Sequence, residues 1–111
     1  MSEHFDLMIL GGGRASTLAI AAAKAGQKVA LIERDKLGGA CPNRGCVPSK
    51  LRIGFAEAAR QVKHAGRHFT KATYEGTDVQ AVFDRVNEWI EGVDGRYEGR
   101  VEASGATLIR G

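Results

Sequence analysis

The only two cysteines of the chain, Cys41 and Cys46, are separated by four residues in a segment rich in glycine and proline. Thiols at this spacing can close a disulfide and open it again. As a structural crosslink, a bridge across so short a loop would contribute only about 2 kcal/mol. As a zinc site, the pair would need further ligands, and the remaining candidates are His4, His64 and His68. We therefore favour a redox-active dithiol presented beside a bound cofactor.

The residues around the pair fit thiol chemistry. Cys46 precedes Pro48, a residue that is tolerated in the first turn of a helix. Cys46 is thus expected near a helix N-terminus, where the helix dipole favours the thiolate, and Lys50 adds a positive charge nearby. Cys41, on the more open side of the loop, can act as the exchanging thiol. Three glycines allow the backbone to approach a flat ring closely: Gly38, Gly39 and Gly45.

A second glycine-rich segment, Gly11-Gly12-Gly13-Arg14-Ala15-Ser16, has the form of a dinucleotide-binding turn. Gly11 fits the tight turn, and Gly13 fits the position where a pyrophosphate approaches the backbone at a helix N-terminus. Ser16 replaces the usual third glycine. Glu33, 20 residues after Gly13, can accept hydrogen bonds from ribose hydroxyls and would repel a 2′-phosphate, which disfavours NADP at this site.

The elements that must position these residues follow from the hydrophobic pattern. Apolar runs predict buried strands at residues 5–10 and 28–33, with a helix over residues 14–25 between them. Strand, helix and strand make one βαβ unit with parallel strands and a right-handed crossover. Residues 34–47 are expected to form a loop that carries both cysteines. We expect an α/β fold.

The second half of the chain predicts two longer helical segments and a third strand. Pro48 is expected to open a helix that runs to His64, and residues 65–77 carry no clear pattern. A helical pattern begins at Val79 and is expected to extend past Gly92 and Gly95, although both glycines weaken it. Residues 106–110 predict the third strand.

Length and composition limit the number of domains and the classes of partner that the chain can have. The 111 residues suffice for one small domain, with 43% apolar and 26% charged residues. The chain has no apolar run of membrane-spanning length, and its N-terminus lacks a basic signal-peptide region, so we expect no membrane partner and a cytoplasmic location. The net charge of +3 is mild and scattered, which argues against nucleic acid as a partner.

The segment from Gly38 to Lys50 resembles the G-G-x-C-x-N-x-G-C-x-P-S-K signature of the class I pyridine nucleotide-disulfide oxidoreductases. These FAD flavoenzymes include dihydrolipoamide dehydrogenase, glutathione reductase and mercuric reductase. The resemblance runs through nearly the whole chain, and it identifies residues 1–111 as the N-terminal portion of an FAD-binding domain. It implies a Rossmann-like unit with three parallel strands and long helices, incomplete relative to the family.

The resemblance also implies roles for individual residues. Cys41 would be the interchange thiol that attacks a disulfide substrate, and Cys46 would be the charge-transfer thiolate over the flavin. Lys50 would lie near the flavin N5 edge, and Glu33 would bind the adenosine ribose. The full set of expected cofactor-binding residues is Gly11, Gly13, Arg14, Ala15, Ser16, Glu33, Arg34, Gly39, Ala40, Cys41 and Lys50. No metal ligand is expected.

The sequence departs from the family pattern within the same segments. Ala40 replaces a threonine, Pro42 and Arg44 replace apolar residues between the cysteines, and Arg52 stands where an apolar helix residue is usual. The Pro-Ser-Lys ending is closer to dihydrolipoamide dehydrogenases and mercuric reductases than to glutathione reductases. These departures affect the expected conformation of the loop and the potential of the dithiol.

Family members are several times longer, are homodimers, and carry an NAD(P)H site and a histidine–glutamate acid/base pair that this sequence lacks. Two hypotheses follow. In the first, the chain is part of a reductase that passes electrons from NAD(P)H through FAD to the Cys41–Cys46 dithiol and on to a small disulfide. In the second, it is a non-catalytic flavin- or nucleotide-binding module or fragment. We expect the isolated chain to lack NADH-dependent turnover.

Overall fold

The computed structural model describes residues 2–111, so Met1, where the expected domain begins, lies outside the described residues. Three strands and five α-helices follow one another along this range. The strands are β1 (Leu7–Leu10), β2 (Val29–Glu33) and β3 (Thr107–Arg110). The helices are α1 (Ser16–Lys24), α2 (Ala40–Arg44), α3 (Cys46–Lys63), α4 (Val79–Glu91) and α5 (Val93–Ser104), with a 3-10 turn at Ala65–His68.

The three strands form one parallel sheet in the order β1-β2-β3, which confirms the expected α/β, Rossmann-like fold. Leu7 to Leu10 pair with Val29 to Ile32, and Ala30 to Glu33 pair with Thr107 to Arg110. Because all three strands are parallel, their carboxyl ends meet at one edge of the sheet. In doubly wound folds that edge is where ligands bind.

The core lies between the sheet and the helices α1 and α5, which pack on each other and on the strands. Its buried members are Ile9, Ala19, Val29, Leu31, Leu37, Val101 and Ala106. Strand β1 has only one well-covered face, because Ile9 is buried whereas its neighbours Met8 and Leu10 are exposed. Burial of apolar side chains from both halves of the chain therefore holds the first βαβ unit to β3.

Helices α3 and α4 pack on each other, α3 also packs on α2 and α4 on α5, and the pair projects away from the sheet. The molecule measures 71 × 25 × 18 Å, and its radius of gyration is 20.4 Å, against about 13 Å for a compact chain of this size. Phe55, Val79 and Phe83 stay exposed on the projection, although their spacing fits one apolar side of each helix. Within residues 2–111, no helix combines the length and apolar character needed to cross a membrane.

Two predictions about local structure are wrong in part. Residues 34–47 are not all loop: Ala40–Arg44 form the short helix α2, and Cys46 already belongs to α3. The pattern that begins at Val79 is divided at Gly92 into α4 and α5. Helical hydrogen bonding nevertheless crosses this point, since the Gly92 N–H donates to Glu88 and the Arg96 N–H donates to Gly92. Glycine has low helix propensity, which fits the boundary between α4 and α5 at this residue.

Candidate functional site

The glycine-rich turn after β1 lies at the carboxyl edge of the sheet and is a candidate site for an anion. Gly11 has φ of +97°, which favours glycine, and there is open space on the side where a Cβ would stand. The N–H groups of Gly13, Arg14 and Ala15 have no acceptor among the described residues. These three donors precede α1, whose dipole adds partial positive charge at the same place. The turn can therefore bind a phosphate group.

Glu33, at the end of β2, holds the glycine turn through its carboxylate. One oxygen accepts the N–H of Gly12 over 2.7 Å, and the other accepts the N–H of Asp35 over 2.8 Å. The hydrogen bonds from the backbone of Asp35 and then of Gly12 lower the pKa of Glu33 below its ordinary value, against a smaller opposing effect of burial. Glu33 thus organises two loops in addition to its predicted contact with a ribose.

Ser16 is buried, and its hydroxyl donates to the carbonyl of Gly13 over 2.7 Å. The side chain therefore occupies the position of the expected third glycine by bonding back to the turn that precedes it. A direct contact between Ser16 and a cofactor stays a prediction. The exposed Arg14 and Ala15 remain candidates through their backbone N–H groups, as described above.

A shallow cavity of about 220 Å³ opens between the ends of β1 and β2. It brings together three residues that the sequence predicted for cofactor binding, Gly11, Glu33 and Arg34. Leu10 and Ile32 supply apolar walls. The cavity adjoins the anion-binding turn through Gly11, so one ligand with a phosphate and an attached sugar could contact both.

The glycine turn is hydrogen-bonded directly to the segment from Gly38 to Lys50 that carries both cysteines, here called the dithiol segment. The Gly38 N–H donates to the Gly12 carbonyl over 2.8 Å. Gly39 has φ of +72°, and a Cβ built on it would stand 3.1 Å from the Cα of Gly13. A side chain at Gly39 would force the two segments apart. The fold therefore places the dithiol segment beside the anion-binding turn, as a cofactor that served both would require.

Cys41 and Cys46 form a disulfide, with their Cα atoms 4.8 Å apart. Cys41 lies in α2, and Cys46 is the first residue of α3, so its predicted position near a helix N-terminus is confirmed. Both cysteines are exposed. Pro48 is buried in the first turn of α3, and Lys50 is exposed in the next turn. Ala40, also a predicted cofactor contact, is exposed at the start of α2.

Three polar side chains that hydrogen-bond to residues 34–39, between β2 and α2, were missed by the sequence reasoning: Asn43, Asp94 and Arg110. Asn43 is buried, and its amide nitrogen donates to the carbonyls of Leu37 and Gly39 over 2.9 and 2.8 Å. Asn43 belongs to the recognised signature, which was the available signal for it. Asp94 and Arg110 contact segments that are distant in sequence, and no local pattern marks them.

The histidines lie away from the dithiol. His64 follows the last residue of α3, and 18 helical residues from Cys46 correspond to about 27 Å. His68 ends the 3-10 turn that comes next. His4 precedes β1, at the edge of the sheet opposite to the glycine turn. Among residues 2–111, no group of three or more His, Cys, Asp or Glu side chains is arranged to hold a metal ion.

Comparisons with known proteins agree with this geometry. The family model described as pyridine nucleotide-disulphide oxidoreductase matches residues 5–109. The chain is 34% identical over 112 residues to dihydrolipoyl dehydrogenase from Chlamydia pneumoniae, which covers 100% of this chain and 24% of that protein. It is 35% identical over 114 residues to glutathione reductase from Schizosaccharomyces pombe, covering 100% of this chain and 25% of the relative.

A solved structure has the same fold. It is described as the Cu(II) complex of the HOCl-induced flavoprotein disulfide reductase RclA from Escherichia coli. The match has a TM-score of 0.76 at 28% identity, and it covers 99% of this chain and 22% of that one. The chain therefore spans about a quarter of the length of the relatives that it matches.

Proposed function

Because the chain belongs to the pyridine nucleotide-disulphide oxidoreductase family, we propose that it binds FAD through the glycine turn and exchanges electrons through Cys41 and Cys46. The relatives named above are oxidoreductases. In the whole protein, NAD(P)H would supply the electrons and a small disulfide would receive them. The observation that carries the proposal is the hydrogen bond from Gly38 to Gly12, which holds the dithiol segment against the anion-binding turn.

The residues at the site fit FAD. The three unpaired N–H groups of Gly13, Arg14 and Ala15 match a pyrophosphate, and the open side of Gly11 leaves room for it. The Glu33 carboxylate lines the adjoining cavity and retains acceptor capacity for ribose hydroxyls, since each of its oxygens accepts one backbone N–H. FAD would supply the carrier that passes two electrons between a nicotinamide and the dithiol.

In its reduced form, the Cys41–Cys46 dithiol would reduce a substrate disulfide in two exchange steps. The Cys41 thiolate attacks one sulfur of the substrate disulfide, which forms a mixed disulfide and releases the first substrate thiolate. The Cys46 thiolate then attacks the Cys41 sulfur, which closes the Cys41–Cys46 bond and releases the second thiolate. Exposure of Cys41 gives a substrate access, and the position of Cys46 at the start of α3 favours its thiolate.

The chain taken alone fits a second, narrower role as a flavin- or nucleotide-binding module without turnover. None of its three histidines lies beside the dithiol, and the released thiolate therefore lacks a nearby imidazole to protonate it. An acid/base pair, an NAD(P)H site and a dimer partner would come from the remainder of the parent protein. We propose a cytoplasmic setting, because a reducing compartment suits an exchanging dithiol.

Binding of FAD to the turn is tested by substituting Arg14→Pro. The Ser16 N–H donates to the Gly13 carbonyl, so Arg14 is the second residue of a four-residue turn, a position that favours proline, and the change removes one of the three N–H donors. A hydrogen bond to a charged group is worth about 1.5–3 kcal/mol, so FAD and ADP should each bind at least about tenfold more weakly. Fluorescence titration measures the affinities, and circular dichroism checks the melting temperature.

Two further measurements make the test specific. Riboflavin, which lacks the pyrophosphate, should bind weakly to the original chain and to the proline variant alike. Arg14→Ala is the matched control, because it removes a side chain and leaves all three N–H groups in place. Equal FAD affinity of the Arg14→Ala and Arg14→Pro chains, at equal melting temperature, would exclude the turn as the pyrophosphate site.

A further inference from the structure

The segment between β2 and α2, residues 34–39, is here called the dithiol loop. Leu37 at its centre is fully buried, and its backbone N–H and carbonyl are both hydrogen-bonded to side chains. Its N–H donates to Asp94 Oδ1 over 2.6 Å, and its carbonyl accepts from Asn43 Nδ2 over 2.9 Å. Asp94 lies in the first turn of α5, 57 residues further along the chain. A side-chain contact from α5 thus fixes the backbone of the loop.

Arg110, at the end of β3, holds Asp94 in place. Its two terminal nitrogens donate to the two carboxylate oxygens of Asp94 over 3.1 and 3.0 Å. The first nitrogen also donates to the Asp35 carbonyl in the dithiol loop over 3.0 Å, and the second donates to Glu98 over 3.1 Å. The planar guanidinium suits this forked geometry, which lysine cannot reproduce. Arg110 and Asp94 therefore clamp the loop from two elements.

The clamp reaches Cys41 through α2. Asn43 ties α2 to the carbonyls of Leu37 and Gly39, and Cys41 lies in the same short helix. The loop also packs tightly on α5, since a Cβ built on Gly38 would stand 3.0 Å from a side-chain carbon of Val93. A movement of Leu37 would consequently move α2 and the exchanging thiol.

We propose that Asp94 and Arg110 are positioning residues that set the reduction potential of the Cys41–Cys46 pair. The proposal rests on the redox role proposed above for the pair. The clamp keeps α2 in the orientation that holds Cys41 next to Cys46, and so favours the closed disulfide. Without the clamp, the effective concentration of the Cys41 thiol at Cys46 would be lower, and the equilibrium would shift towards the reduced dithiol.

The test measures thiol–disulfide exchange of this chain with glutathione in the absence of flavin. Two glutathione thiols reduce the Cys41–Cys46 bond and leave as one glutathione disulfide, so the equilibrium constant follows from acid-quenched mixtures analysed by mass spectrometry. In Asp94→Ala, the equilibrium constant should move about tenfold towards the dithiol, which corresponds to about 30 mV. Asp94→Asn keeps an acceptor for the Leu37 N–H and should restore part of the shift.

Matched variants separate positioning from a merely structural role. Arg110→Lys keeps the charge but loses the fork, and it should shift the constant in the same direction by a smaller factor. Arg85→Gln breaks the exposed ion pair with Glu88 on α4 and should leave the constant unchanged. A lower melting temperature in Asp94→Ala with an unaltered exchange constant would overturn the proposal. If that variant does not fold, the original exchange constant in both Asp94→Asn and Arg110→Lys would overturn it.

The result of this exchange test does not depend on the result of the FAD-binding test of the proposed function. Exchange with glutathione needs no FAD, so the comparison among variants stands even if the chain binds no flavin. Conversely, FAD binding by the chain with an exchange constant unaffected by Asp94 would remove the positioning role alone.

Discussion

Substituting Glu33→Gln should destabilise the chain by removing the acceptor that joins two loops. The carboxylate of Glu33 accepts the N–H of Gly12 with one oxygen and the N–H of Asp35 with the other. Glutamine has a single acceptor oxygen, and its amide group would face the second N–H. Gly12 is buried, so if its N–H is the one that loses its acceptor, no water can replace it.

The magnitude follows from the two contacts. A hydrogen bond to a charged acceptor contributes about 1.5–3 kcal/mol, and we expect the loss of about one such bond, or about 2 kcal/mol in the free energy of unfolding. For a chain of this size, about 1 kcal/mol corresponds to about 4 °C in melting temperature. Circular dichroism at neutral pH should therefore show a melting temperature lower by about 8 °C.

The stability difference between the original chain and Glu33→Gln should depend on pH. Hydrogen bonds from Asp35 and Gly12 lower the pKa of Glu33 in the folded chain below its ordinary value of 4.5. A lowered pKa means that the contribution to stability is fully present above about pH 4.5 and is lost as the pH falls through the folded value. The difference between the original chain and Glu33→Gln should thus be largest near neutral pH and shrink in acid.

Glu88→Gln is the matched control. Glu88 is an exposed carboxylate whose partner is the side chain of Arg85, and exposed pairs of this kind contribute about 0–1 kcal/mol. Its melting temperature should change by no more than about 4 °C. If Glu33→Gln melts within the range of this control, or if its deficit grows in acid, the bridging role assigned to Glu33 is refuted.

Two further predictions concern the dithiol segment. With oxidised glutathione, the reduced Cys46→Ser chain should accumulate a glutathione adduct on Cys41, whereas the reduced original chain should release the glutathione when Cys46 closes the disulfide; equal adduct formation by the two chains in mass spectrometry would contradict the resolving role of Cys46. Gly39→Ala should weaken FAD binding in fluorescence titration, because its Cβ would press on Gly13. Gly99→Ala, in open space within α5, should instead raise the melting temperature by about 2–4 °C. Unchanged FAD affinity in Gly39→Ala would contradict the close contact.

The first βαβ unit could be predicted from the sequence because its signals are local. Short apolar runs and flanking glycines locate β1, α1 and β2 to within two residues of their observed bounds. Gly11 and Glu33 follow from the spacing of a dinucleotide turn, and the structure does bring them to one cavity. Burial of the strands and tight turns between them are properties that residue type alone largely determines.

Helix α2 could not be predicted in the same way. Gly38 and Gly39 precede it and Gly45 follows it, and these residues signal a loop. Five residues are too few to form a stable helix by propensity. The helix depends on Asn43, whose amide bonds to the carbonyls of Leu37 and Gly39 in the preceding loop. Tertiary contacts therefore override the local signals here.

The contacts of Asp94 and Arg110 are invisible in the sequence for a related reason. Asp94 accepts from a backbone N–H 57 residues away, and Arg110 donates to a carbonyl 75 residues away. Such contacts exist only after β3 has joined the sheet and α5 has packed beside it. A charged residue at the start of a helix or at the end of a strand is common, and neither position distinguishes a clamp from a solvated side chain.

The site is held by carboxylates that bind backbone N–H groups of loops, and this determines how it responds to acid. Burial raises the pKa of Asp94, but hydrogen bonds from Arg110 and Leu37 outweigh it and keep the pKa below the ordinary value of 3.8. The pKa of Glu33 is lowered as well, by Asp35 and Gly12. Both carboxylates therefore stabilise the folded chain above their ordinary pKa values, and both lose that contribution as the pH falls through the folded ones. The core consists of apolar groups that do not titrate, so protonation of these two carboxylates removes hydrogen bonds of the loop that precedes the dithiol and no contact of the core.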